Sequence, residues 1–158
     1  MFAAGGPRFY GIDNAHWRAV TSLKMGTERP LGIALVICDR VIVDATTHEK
    51  TLVASFNRIR AQFFPAMHPR MSFFISVTNG RGTMQGRIRC INESDQKPVF
   101  SASGPLIFKD PLHVVEMTFQ VRNAVFPNPG VYNVEFLCDD DIILQRRFQV
   151  AQMESKTE

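Results

Sequence analysis

The side chains in this sequence best suited to chemistry are cationic. Arg58 and Arg60, and again Arg87 and Arg89, stand two residues apart in β-rich stretches. Each pair therefore projects from one face of its strand. If the two strands are neighbours, the four guanidiniums make a basic stripe suited to phosphate or another anion. Arg70 closes a segment bracketed by two prolines, Phe63-Phe64-Pro65-Ala66-Met67-His68-Pro69, which reads as a loop carrying His68. The competing reading is a solvated sheet face that keeps strand edges soluble. No aromatic-rich recognition motif accompanies the arginines, so nucleic acid is disfavoured as a partner.

Other chemistry finds less support. Ser55, Ser72, Ser76, Ser101 and Ser103 lie in strand-like stretches, and none sits in a G-x-S-x-G elbow. Cys38 is followed by Asp39, and a neighbouring carboxylate makes a thiol less reactive, not more. His16, His48, His68 and His113 are far apart, with no zinc-ligand spacing. Asp139-Asp140-Asp141 invites a calcium reading. Three adjacent carboxylates cannot all reach one ion without irregular backbone, so a hairpin turn is the better reading. No catalytic residue, metal ligand set or cofactor is assigned.

The elements that must position these residues are short strands. Val125 to Cys138, VFPNPGVYNVEFLC, organises the rest. Pro127 to Gly130 turn the chain, and Tyr132, Val134, Phe136 and Cys138 then alternate as the buried face of a strand. Gly130-Val131-Tyr132 opens it as a tyrosine corner does, with the phenol hydroxyl bonding back to an upstream backbone group. Further strands are expected at Ile33–Val43, bent at Asp39-Arg40, and at Thr51–Ile59, its hairpin return. Met71–Thr78 and Thr83–Ile91 follow, the latter with Met84, Ile88 and Cys90 inward. The remainder are Val99–Ser103, Leu106–Phe108, Val114–Val121 and Ile142–Val150. This is an all-β pattern: an antiparallel Greek-key, Ig-like sandwich of about eight strands.

Length and composition agree. The 158 residues, 45% hydrophobic, make one domain with a substantial core. Residues 1–30 read as an N-terminal extension, 31–150 as the sandwich and 151–158 as a polar, frayed tail. The extension includes a short helix over 15–23, and Met25 is an alternative start. The net charge is +3, of which residues 1–24 carry +2, so the sandwich is nearly neutral. Cys38, Cys90 and Cys138 are odd in number and lie in apolar stretches, as free thiols in a reducing cytoplasm do. No run is long enough to cross a membrane as a helix, and no secretory signal is evident.

Taken together, ALVICDRVIVD, TLVASFNRI, FPAMHPR, TNGRG, GPLIFKDPLHVVEMTFQV and FPNPGVYNVEFL resemble an uncharacterised bacterial family known only as a domain of unknown function. The resemblance runs from Leu31 to Val150. It implies an all-β, Ig-like sandwich in a bacterial cytosol and carries no catalytic residues. It marks Asp39, Arg58, His68, Pro69, Gly130 and Tyr132 as characteristic positions.

The expected function is a non-catalytic module that mediates protein–protein interaction, offering loops or an edge strand to a protein partner or to its own copies. The alternative is a site for a small ligand or anion (carbohydrate, lipid or phosphate). An enzyme is the least favoured reading. The candidate binding residues are Asp39, Arg58, Arg60, His68, Arg70, Arg87 and Arg89, with Gly130 and Tyr132 structural.

Overall fold

The computed structural model describes residues 29–155. The expected helix over 15–23, His16, Trp17 and Met25 lie outside them. The described chain is all β, with nine strands in two sheets. The strands are β1 (Leu31–Val43), β2 (Lys50–Ser55), β3 (Arg58–Ala61), β4 (Ala66–Thr78), β5 (Gly82–Asn92), β6 (Pro98–Phe108), β7 (Val115–Phe126), β8 (Gly130–Cys138) and β9 (Asp141–Gln152). One sheet has the order β2-β1-β4-β7 and the other β3-β9-β8-β5-β6.

Alternation of side chains explains how the sheets close on one core. Ile37, Met71, Phe73, Ile75 and Val77 face inward from the four-stranded sheet, fully buried. Ile88, Cys90, Leu106, Tyr132, Val134 and Phe136 meet them from the five-stranded sheet. Phe126, Tyr132 and Phe148 pack as a trio, Phe126 lying edge-on to both other rings at 5.0 and 5.7 Å. Tyr132 Oη donates to the Asn128 carbonyl at 2.7 Å, the backbone anchor its sequence context predicts. Gly130 opens β8 at φ 153°, a conformation that L side chains rarely adopt.

Several expectations need correction. Thr51–Ile59 is not one return strand. β2 stays beside β1, whereas β3 crosses to the other sheet and pairs with β9 in parallel. The switch falls at Ala54, whose φ is 52°, and at Phe56 and Asn57. An alternating apolar pattern does not record which sheet a strand joins. The expected Phe63–Pro69 loop is mostly strand, because β4 starts at Ala66. Proline is tolerated there: β1 pairs with β4 only as far as Ser72, so Pro69 lies where β4 has a strand neighbour on one side. Residues 98–108 form one strand instead of two, and β9 runs to Gln152, into the expected tail.

Candidate functional site

β1 changes partner at Cys38. Residues Leu31–Cys38 pair with β4, and Cys38–Val43 pair with β2. The strand thus peels away from β4 at Asp39, where the sequence suggested a bend. The hairpin it begins returns to the same sheet: Thr47–Leu52 line a groove with Phe74 and Glu116, and Lys50 Nζ meets Glu116 at 2.5 Å. Cys38, Ser72 and Ser76 are buried.

The opening beside Asp39 is a cleft of about 510 Å³ lined by Asp39, His68, Pro69, Arg70 and Arg122. Asp39 spans the gap. Its Oδ1 accepts from Arg70 Nε at 3.2 Å and its Oδ2 from Nη2 at 2.5 Å. This is the two-pronged geometry that favours arginine over lysine. Ser72 Oγ donates to the Asp39 carbonyl at 3.1 Å and fixes the backbone. The Arg70 hydrogen bond, with the charges of Arg70, Arg40 and His68, holds the Asp39 carboxyl below the usual carboxylate range.

His68 sits half-buried, its ring 5.4 Å from that of Phe56. Burial pushes its pKa down, against the opposing pull of Asp39. The imidazole is therefore neutral near pH 7.

Arg122 completes the cleft. It faces Arg70 directly across the β4–β7 ladder. Two guanidiniums thus stand side by side, and one carboxylate, Asp39, is bonded to Arg70. Arg122 is exposed, and its side chain has no hydrogen bond or ion pair among the described residues.

The remaining sequence candidates lie elsewhere. Arg58 and Arg60 project from β3, and Arg87 and Arg89 from β5, with β9 and β8 between them. The strands are not neighbours, so the four do not form one stripe. Two of the four charges are already paired with carboxylates. Arg87 pairs with Asp140 at 2.9 Å, and Arg89 with the buried Glu135 at 2.5 Å. Arg58 donates twice to Gln149 Oε1. Arg58 and Arg60 line an open groove with Arg147, which is itself paired with Glu93.

Asp139 and Asp140 are the turn the sequence suggested, with φ of 45° and 71°. Their carboxylates diverge, one to the Gln85 amide and one to Arg87. Among the described residues no three His, Cys, Asp or Glu side chains gather as a metal site, and no helix is long and apolar enough to cross a membrane. The three cysteines are buried and free.

Of the sequence candidates the structure brings Asp39, His68 and Arg70 into one cleft, together with Arg122, which was not among them. The missing signal was register: Arg122 sits at an outward position of a regular alternation, and only the ladder brings it to Arg70.

Comparison with known families decides the remaining question of kinship. Residues 33–151 match a family of unknown function, DUF6941. The chain belongs to that family. The match takes in every residue of the cleft and all nine strands, apart from the first two residues of β1 and the last of β9. A comparison with curated proteins finds no match. DUF6941 brings no assigned activity to the cleft, so its chemistry must be argued from the side chains.

Proposed function

We propose that this chain is a non-catalytic binding module, and that the cleft beside Asp39 receives an acidic group of a protein partner. The observation that carries this reading is the pairing of Arg70 with Arg122 over one bonded carboxylate. A second carboxylate placed against Arg122 would balance the row. It would also gain charge-assisted hydrogen bonds from a guanidinium that has no other partner among the described residues. Neutral His68 and Pro69 give the cleft a less polar wall, which strengthens such a contact.

The wider reading is of an Ig-like Greek key. The tyrosine corner at Tyr132 supports it, as do the crossings between sheets from β4 to β5, β6 to β7 and β7 to β8. Three buried free thiols support a cytoplasmic setting.

The test is a titration of the monomeric chain with a hexaglutamate peptide, following the arginine Nε–Hε signals by NMR. The Arg70 and Arg122 signals should shift, salt should weaken the response, and Arg122→Ala should abolish it. Arg70 and Arg122 signals that stay still at millimolar peptide would overturn the reading.

A further inference from the structure

The two sheets have four outer edges, and three of them are blunted. β3 is four residues long. β2 is six residues long and carries the left-handed Ala54. β6 carries Pro98 and Pro105, which have no N–H to offer another strand. β7 is different. From Val115 to Arg122 it contains no proline, no glycine and no residue at positive φ, and its register with β4 is unbroken. Its inward side chains Val115, Met117, Phe119 and Val121 pack on the core yet are only partly buried. A long, regular edge with half-covered apolar residues is a template for one more strand.

The charges on β7 say which strand fits. Its only charged residues are Glu116 and Arg122. Both lie on the outward face, three positions either side of Phe119. An antiparallel copy of β7 centred on Phe119 places Glu116 opposite Arg122 of the second copy, and Arg122 opposite its Glu116. Thr118 then meets Gln120, and Phe119 meets its own counterpart on the inward side. A two-fold contact must be self-complementary in this way, and residues directly opposite come within about 5 Å at Cβ.

We infer that the partner is a second copy of this chain, joined edge to edge through β7 so that the two four-stranded sheets become one eight-stranded sheet. The inference rests on the reading of the cleft, since it names Glu116 of the second copy as the acidic group that meets Arg122. In the assembled row Asp39 holds Arg70, and the incoming Glu116 holds the adjacent Arg122. Lys50 lies on the far side of that Glu116, within its own chain. Each carboxylate is then flanked by cations and no two carboxylates are neighbours. The inward Val115, Met117, Phe119 and Val121 of both copies would become continuous beneath the joined sheet.

The test is sedimentation equilibrium on the full chain and on charge-reversal variants. The parent should be a dimer at micromolar concentration. Glu116→Arg and Arg122→Glu should each weaken self-association by at least about tenfold, because each places like charges opposite at two symmetric positions. The two single variants mixed together should form a heterodimer, since every reversed charge then meets its complement. The double variant should again dimerise with itself. Rescue by mixing also shows that both single variants fold.

A monomeric parent, or a dimer indifferent to both reversals, would overturn the inference. The hexaglutamate titration is repeated on Glu116→Arg, whose cleft no second copy occupies. Shifts at Arg70 and Arg122 there would keep the acidic-group reading alive without the dimer, and still signals would end both.

Discussion

Asp39 grips the guanidinium of Arg70 through both carboxylate oxygens at the point where β1 leaves β4. Both side chains are more than a third exposed, so solvent screens the pair and its contribution to stability is small. Asp39→Ala should therefore leave the urea midpoint almost unchanged. Its effect on binding should be larger. Arg70 would lose its bonded carboxylate, and the cleft would present two guanidiniums to an incoming anion. In the Glu116→Arg background, where no second copy fills the cleft, adding Asp39→Ala should tighten hexaglutamate binding about two- to fivefold. Unchanged or weaker peptide binding would mean that Asp39 orients Arg70 for the ligand instead of competing with it.

Two groups in the cleft make stability depend on pH in the same direction. Burial holds the His68 pKa below its ordinary 6.5, so the unfolded chain takes up the proton first. Its contribution is complete above that ordinary value and declines as pH falls through it towards the folded pKa. The Asp39 pKa is held below its ordinary 3.8, chiefly by the Arg70 hydrogen bond. That contribution is present above 3.8 and is lost as pH falls through the folded value. Urea midpoints measured from pH 8 to pH 3 should fall in two stages. His68→Phe should flatten the upper stage and leave the lower one. An upper stage that persists in His68→Phe would assign it to another group.

Gly80 is held by close approach. A Cβ built there would lie 2.3 Å from the Phe108 ring, and Phe108 is buried in the core. Gly80→Ala must displace the ring or the turn. It should cost about 1–3 kcal/mol, as overpacking does, read as a lower urea midpoint. Combining it with Phe108→Leu should recover part of the loss, which a purely conformational effect at residue 80 would not allow.

How much of this was legible in the sequence depended on how far each feature reaches along the chain. The tyrosine corner spans Asn128 to Tyr132, so its residues are adjacent and the signal is intact. Alternation in Thr83–Ile91 reports burial directly, because side-chain period and strand period coincide, whereas in Met71–Thr78 the outward Ser72 and Ser76 are buried as well. The sheet switch after Ser55 left no mark. Ala54 takes a left-handed conformation in a position where glycine or asparagine would have announced it. Pro69 argued for a loop because sequence does not show that β1 has departed by that point. Asp39 and Arg70 could each be suspected, but their contact spans 31 positions. Arg122 joins them only through the β4–β7 register.

The thiols should be silent in the native state. Burial pushes Cys90 up to about 12 and Cys138 up to about 11, and Cys38 is raised by burial and by Asp39. The reactive species is the thiolate, so at pH 8 both its population and its access are small. Iodoacetamide followed by intact mass should show an unmodified protein under native conditions and three labels in guanidinium. Rapid native labelling at one site would point to local opening there. Cys38 is the most exposed to that outcome, since it lies where β1 exchanges partners.

Tyr132 lets the corner bond be separated from the core. Its ring is fully buried and packs edge-on against Phe126 and stacked on Phe148, while its hydroxyl holds the Asn128 carbonyl. Tyr132→Phe keeps the ring and deletes the bond. It should lower stability by about 1 kcal/mol, the net worth of a typical intramolecular hydrogen bond. Tyr132→Leu removes the ring contacts as well and should cost a further 2–3 kcal/mol or about that, in the range of large-to-small core changes. The two variants should also differ in kinetics. If the Pro127–Gly130 turn closes after the two sheets have met, Tyr132→Phe will speed unfolding and leave folding unchanged. If the turn is formed in the transition state, the same variant will slow folding instead. A Tyr132→Phe protein as stable as its parent would mean that the two prolines and Gly130 hold the turn without the phenol.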